Sequence, residues 1–96
     1  MADLLTDPEI EERLGALDGW SREGDAIVRE RELADFAAAL AWVNEVGREA
    51  EAANHHPDIL IHGWNKVRLT VTNHSAGGLT QADFDLAATV DALPGG

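Results

Sequence analysis

Between Asp35 and Ala53 the chain carries a single helical period. Phe36, Ala39, Leu40, Val43, Val46, Gly47 and Ala50 recur at three- and four-residue steps, with Asn44, Glu45, Arg48 and Glu49 opposite them. Asp35 reads as its cap, and Pro57 disfavours helix at His56, so the helix ends near Ala53. A helix with one apolar face needs a surface to cover that face. Both flanks of this one have the period of strands.

Ahead of it, "WSREGDAIVRERELA" reads as a hairpin turning at Gly24-Asp25, with Ile27 and Leu33 on one side. Behind it, "DILIHGW" and "KVRLTVTNH" read as two strands joined by a tight turn near Trp64-Asn65. In the last strand Val67, Leu69 and Val71 share one face, while Arg68, Thr70, Thr72 and His74 share the other. Two more helices complete the chain. "TDPEIEERLGAL" starts one, with Asp7 as cap, Pro8 in the first turn, Glu9 and Glu11 at the positive end of the dipole, and Gly19 after it. Thr80 to Leu93 gives the other, opened by Thr80-x-x-Asp83, a capping-box variant. The order α-β-β-α-β-β-α predicts an α+β, two-layer fold: a four-stranded antiparallel sheet with three helices packed on one face. The other face stays open, and the alternation puts His74 on it.

Composition narrows the function. Ninety-six residues make one domain, 1–96, with no repeat or linker. The net charge is −11, and seven Lys and Arg leave no basic face for nucleic acid or anionic lipid. No cysteine is present, which excludes disulfides, zinc fingers and thiol chemistry together. No stretch has membrane-spanning length, and "MADLLTDPEI" lacks the basic region of a secretory signal, so a cytoplasmic protein is expected. Much of the hydrophobic content is alanine, so three tryptophans and two phenylalanines carry much of the large apolar area. A core that small favours self-association.

Four histidines are present, and "ANHHPDI" places two of them side by side before a proline. Singly, each polar residue nearby has a plain role. His55 and His56 suit a helix C-terminus, Glu51 a solvated helix face, Asp83 a cap, Trp20 a core position and His62 a surface strand. Together, Glu51, His55, His56, His74 and Asp83 can converge at one end of the sheet. Imidazole gives and takes protons near neutral pH, which suits general acid–base work. Three histidines and a carboxylate also suffice for zinc, although adjacent histidines rarely aim at one ion and no His-Glu-x-x-His helix is present. The residues alone leave a structural role and acid–base catalysis level, with a metal third.

The spacing carries more. Glu51-x3-His55-His56-Pro57, followed by Trp64, His74 and Asp83, resembles the pattern of the pterin-4a-carbinolamine dehydratases. "WNKVRLTVTNHSAGGLTQADFDLA" is similar to the same family's run from the second strand pair into the last helix, and Trp20 after Gly19 matches its early tryptophan. The pattern departs from animal members at Asn54, Trp64, Asn73 and Ala82, none of which is a proposed proton carrier.

The resemblance implies a 4a-hydroxytetrahydrobiopterin dehydratase, a hydro-lyase that converts 4a-hydroxytetrahydropterin to quinonoid dihydropterin and water in tetrahydropterin recycling. It implies His55, His56 and His74 as the acid–base set. Glu51, Pro57, Asp83 and Trp20 would bind or orient, with no metal and no cofactor. It also implies a pterin substrate and a homodimer or homotetramer. The alternative is a catalytically silent family member acting as a protein-binding or assembly module.

Overall fold

The computed structural model describes residues 3–94, so the first two and last two residues of the expected 1–96 unit lie outside the described residues. Its elements are α1 (Asp7–Gly15), β1 (Trp20–Glu23), β2 (Ala26–Glu32), α2 (Phe36–Ala53), β3 (Asp58–His62), β4 (Lys66–Val71) and α3 (Gln81–Asp91). The four strands form one antiparallel sheet, as the alternation and short turns predicted, and the structure gives its order as β1-β2-β4-β3. Ile27, Val67, Leu69 and Val71 point from the sheet into one core, where Ile10 of α1, Val46 of α2 and Phe84 and Leu86 of α3 meet them. Each such aliphatic side chain contributes about 1.5–3 kcal/mol of transfer free energy. Among the described residues no helix is long and apolar enough to cross a membrane.

Three local readings change: the α1 cap, the α2 stripe and the place of His74. Thr6, not Asp7, caps α1: its hydroxyl accepts from the Glu9 N–H, while the Glu9 carboxylate accepts from the Thr6 N–H at 2.8 Å. Asp7 is already inside the helix, and its carboxylate pairs with Arg22 at 2.9 Å.

The inward line of α2 is Ala39, Trp42, Val46 and Ala50. Phe36 and Leu40 are 50% and 43% exposed, so the predicted stripe was centred too far round the helix. Trp42 draws the axis toward itself by filling the core, and the Arg31 guanidinium of β2 lies 5.2 Å from its ring centroid.

The β3–β4 turn runs Gly63-Trp64-Asn65, with both Gly63 (φ 54°) and Trp64 (φ 63°) in the left-handed region. Buried Asn65 fixes that tip. Its amide donates to the Leu33 carbonyl at 3.0 Å, and its own carbonyl accepts from the Leu33 N–H at 2.8 Å.

Finally, β4 stops at Val71, and His74 lies in a turn rather than on the open sheet face. Asn73 causes this departure. Its backbone bridges to Gly78, its carbonyl accepts from the Gly77 N–H at 2.9 Å, and its side-chain oxygen accepts from the Ala76 N–H at 3.0 Å.

Candidate functional site

The site begins where α2 ends. Asn54 takes the left-handed conformation (φ 51°) that a helix C-cap requires, and asparagine tolerates it better than most residues. The His55 N–H then donates back to the Ala50 carbonyl at 3.0 Å. That turn aims the His55 ring at the start of α3 instead of into solvent. Pro57, half-buried, then leads the chain into β3.

At the start of α3, Asp83 is fully buried and uses both carboxylate oxygens. One accepts from the Thr80 backbone N–H at 2.7 Å and lies 3.3 Å from the Thr80 hydroxyl. The other lies 2.5 Å from His55 Nε2. With Asp83 ionised, Nε2 is the donor of this pair, which leaves Nδ1 of a neutral His55 as a bare acceptor. The carboxylate therefore fixes both the ring plane and the tautomer of His55.

His56 makes the corresponding bond in water. Its Nε2 lies 2.5 Å from Glu51 Oε1, one helical turn back, and both side chains are mostly exposed. His74 stands apart from both pairs. It lines a surface cavity of about 320 Å³ with Asp25, Thr72, Asn73, Gly77 and Gly78, and neither His55 nor His56 lines that cavity. One connection joins the two places: Asn73 Nδ2 reaches Thr80 Oγ1 at 3.5 Å, and Thr80 is the residue that holds Asp83.

Trp20 is not brought together with the histidines in this chain. Its indole N–H donates at 2.9 Å to Asp91, which also pairs with Arg29. Asp91 is eight residues along α3 from Asp83, about 12 Å at helical rise. His62 faces Glu30 on the open sheet face, with Nε2 3.0 Å from Oε1. Among the described residues no three His, Cys, Asp or Glu side chains are grouped to hold a metal ion.

Sequence reasoning missed Asp91 as a partner, because it acts on Trp20 and Arg29, which are distant in sequence. The Thr80-x-x-Asp83 signature was visible, but its second use, as the seat for His55, was not.

The comparisons with known proteins bear on family and fold. The family model described as pterin 4 alpha carbinolamine dehydratase matches residues 3–93. A curated relative from Roseiflexus sp. (strain RS-1), named "Putative pterin-4-alpha-carbinolamine dehydratase", is 55% identical over 93 residues, covering 97% of this chain and 99% of its own. One of the same name from Nostoc sp. (strain PCC 7120) is 50% identical with the same coverage. A solved Brucella melitensis structure, described as a transcriptional coactivator/pterin dehydratase, superposes with a TM-score of 0.88 at 34% identity, over 94% of this chain and 97% of its own. Another, a pterin dehydratase-like protein identified as a RuBisCO assembly factor in the alpha-carboxysome, gives 0.67 at 25% identity, over 81% and 92%.

Proposed function

Because this chain belongs to the pterin-4a-carbinolamine dehydratase family, we propose that it dehydrates 4a-hydroxytetrahydropterin to quinonoid dihydropterin in tetrahydropterin recycling. The observation that carries this reading is the buried Asp83 carboxylate seated on His55 Nε2. A structural histidine needs no such fixed tautomer, whereas a proton-transfer group does.

The reaction requires two proton transfers. The C4a–O bond breaks as the departing hydroxyl takes a proton and leaves as water. The ring nitrogen bonded to C4a gives up its proton as its lone pair forms the C=N bond. One proton enters and one leaves, so a set of imidazoles closes the cycle without a net change. His55, His56 and His74 share these transfers. Asp83 orients His55, Glu51 orients His56, and Pro57 sets the entry to β3. The enzyme works in the cytoplasm as a homodimer or homotetramer, a reading supported by the sheet edge at β3, where Leu60 is 53% exposed.

The test is stopped-flow loss of 4a-hydroxytetrahydropterin against buffer and against a His56→Ala/His74→Ala double variant. Wild type should accelerate the loss, with the double variant slower by about 10²–10⁴-fold. Equal rates in folded wild type and variant would remove the assigned roles.

A second reading, a protein-binding or assembly module without the reaction, is favoured by exposed Phe36, Leu40, Leu60 and Trp64. It predicts a partner whose capture survives the same histidine substitutions.

A further inference from the structure

The cavity beside His74 contains a group that the proposed chemistry has not yet used. Asp25 sits in the β1–β2 turn and lines this cavity together with residues of the 72–78 loop. Its backbone is anchored, because the Thr72 hydroxyl donates to the Asp25 carbonyl at 2.5 Å. Its carboxylate is not engaged: among the described residues no hydrogen bond or ion pair reaches it, although Arg22, Arg29, Arg48, Lys66 and Arg68 all pair with other acids. Gly78 leaves the carboxylate accessible. A Cβ built there would come 3.9 Å from Asp25 Oδ1 and 3.1 Å from a Leu4 methyl, so a side chain would crowd the wall.

No lysine or arginine lines the cavity, and the whole chain carries −11. Such a site repels phosphates and carboxylates and favours a ligand presenting N–H donors. A reduced pterin has two of them side by side, the ring N3–H and the 2-amino group. Two parallel donors match the two oxygens of one carboxylate, as a guanidinium does.

Resting on the dehydratase reading, we propose that Asp25 is a substrate-binding and specificity residue. It takes the 2-amino/N3–H edge of the pterin while His74 faces the ring from the same cavity.

The test uses two readouts on wild type and Asp25→Asn. Asparagine keeps the size of the side chain, and among the described residues the Asp25 carboxylate makes no bond. In stopped-flow dehydration, Asp25→Asn should raise KM about tenfold or more with kcat within about twofold, as loss of a charge-assisted bond to substrate alone requires. In calorimetry with a stable dihydropterin, wild type should bind more tightly than Asp25→Asn by the same factor. A 2-desamino analogue, which keeps only the N3–H donor, should narrow the difference between the two proteins. An unchanged KM, or full discrimination against the desamino analogue in Asp25→Asn, overturns the proposal. Absence of wild-type dehydration with Asp25-dependent pterin binding removes the dehydratase reading and keeps this one. Dehydration that ignores Asp25 does the reverse.

Discussion

Two helices of this protein start with the same device. At α1, Glu9 accepts from the Thr6 N–H at 2.8 Å, and at α3, Asp83 accepts from the Thr80 N–H at 2.7 Å. Both are threonines followed three residues later by a carboxylate. The first stands in water and ends there. The second is buried, and its remaining oxygen is occupied by His55. The same local motif is thus a helix cap in one place and a cap plus histidine seat in the other. Burial and the partner at the second oxygen make the difference.

Substitutions can break this comparison, beginning with the largest effect. Asp83→Asn keeps size but replaces one acceptor with an amide. Activity should fall on the order of 10²-fold or more, because the His55 tautomer is no longer imposed. Measured kcat on protein with wild-type circular dichroism decides this.

Asp91, at the other end of α3, provides the contrasting carboxylate. It is held by Arg29, whose charge is permanent, and by the Trp20 indole, so its role is cohesion and not proton transfer. Asp91→Asn should cost about 1–3 kcal/mol in denaturant unfolding, with kcat per folded molecule within about twofold. A large kcat loss there would place Trp20 within the chemistry.

Glu51→Gln sharpens the comparison from the solvent side. The His56–Glu51 pair is exposed, so stability should change by no more than about 0.5 kcal/mol, and kcat should fall less than in Asp83→Asn.

The smallest effect belongs to Glu9. The Thr6 backbone N–H, followed by the Thr6 hydroxyl, holds its carboxyl below the ordinary value. The depressed folded-state pKa makes its stabilisation present above the unfolded pKa, and that stabilisation is lost as pH falls through the folded one. Glu9→Gln should therefore melt slightly below wild type at neutral pH, and the gap should close in acid. A gap independent of pH would contradict this assignment.

Where local period decides structure, the sequence reading and the structure agree. The alternation through Val67, Leu69 and Val71 and the turn at Gly24-Asp25 lead directly to the observed sheet. The α2 stripe was legible as a helix but not in its rotation. Phe36 and Leu40 are as apolar as the residues that turn inward, and only the bulk of Trp42 settles which side packs.

His74 shows a different limit. Alternation continues through Thr72 in sequence, yet Asn73 ends the strand with its own hydrogen bonds to Ala76, Gly77 and Gly78. Among the candidate site residues, the pairs His55–Asp83 and His56–Glu51 form as their positions near the end of α2 and the start of α3 allow. The Trp20–Asp91 bond spans 71 residues and has no local signature.

The most direct test of the central claim is the protonation of the His55 ring itself, read from two-bond ¹H–¹⁵N correlations of the neutral imidazole. In wild type the proton should sit on Nε2 with Nδ1 bare, and that preference should be lost in Asp83→Asn. A proton on Nδ1 in wild type, or the same tautomer in both proteins, would contradict the claim that Asp83 sets His55 for proton transfer.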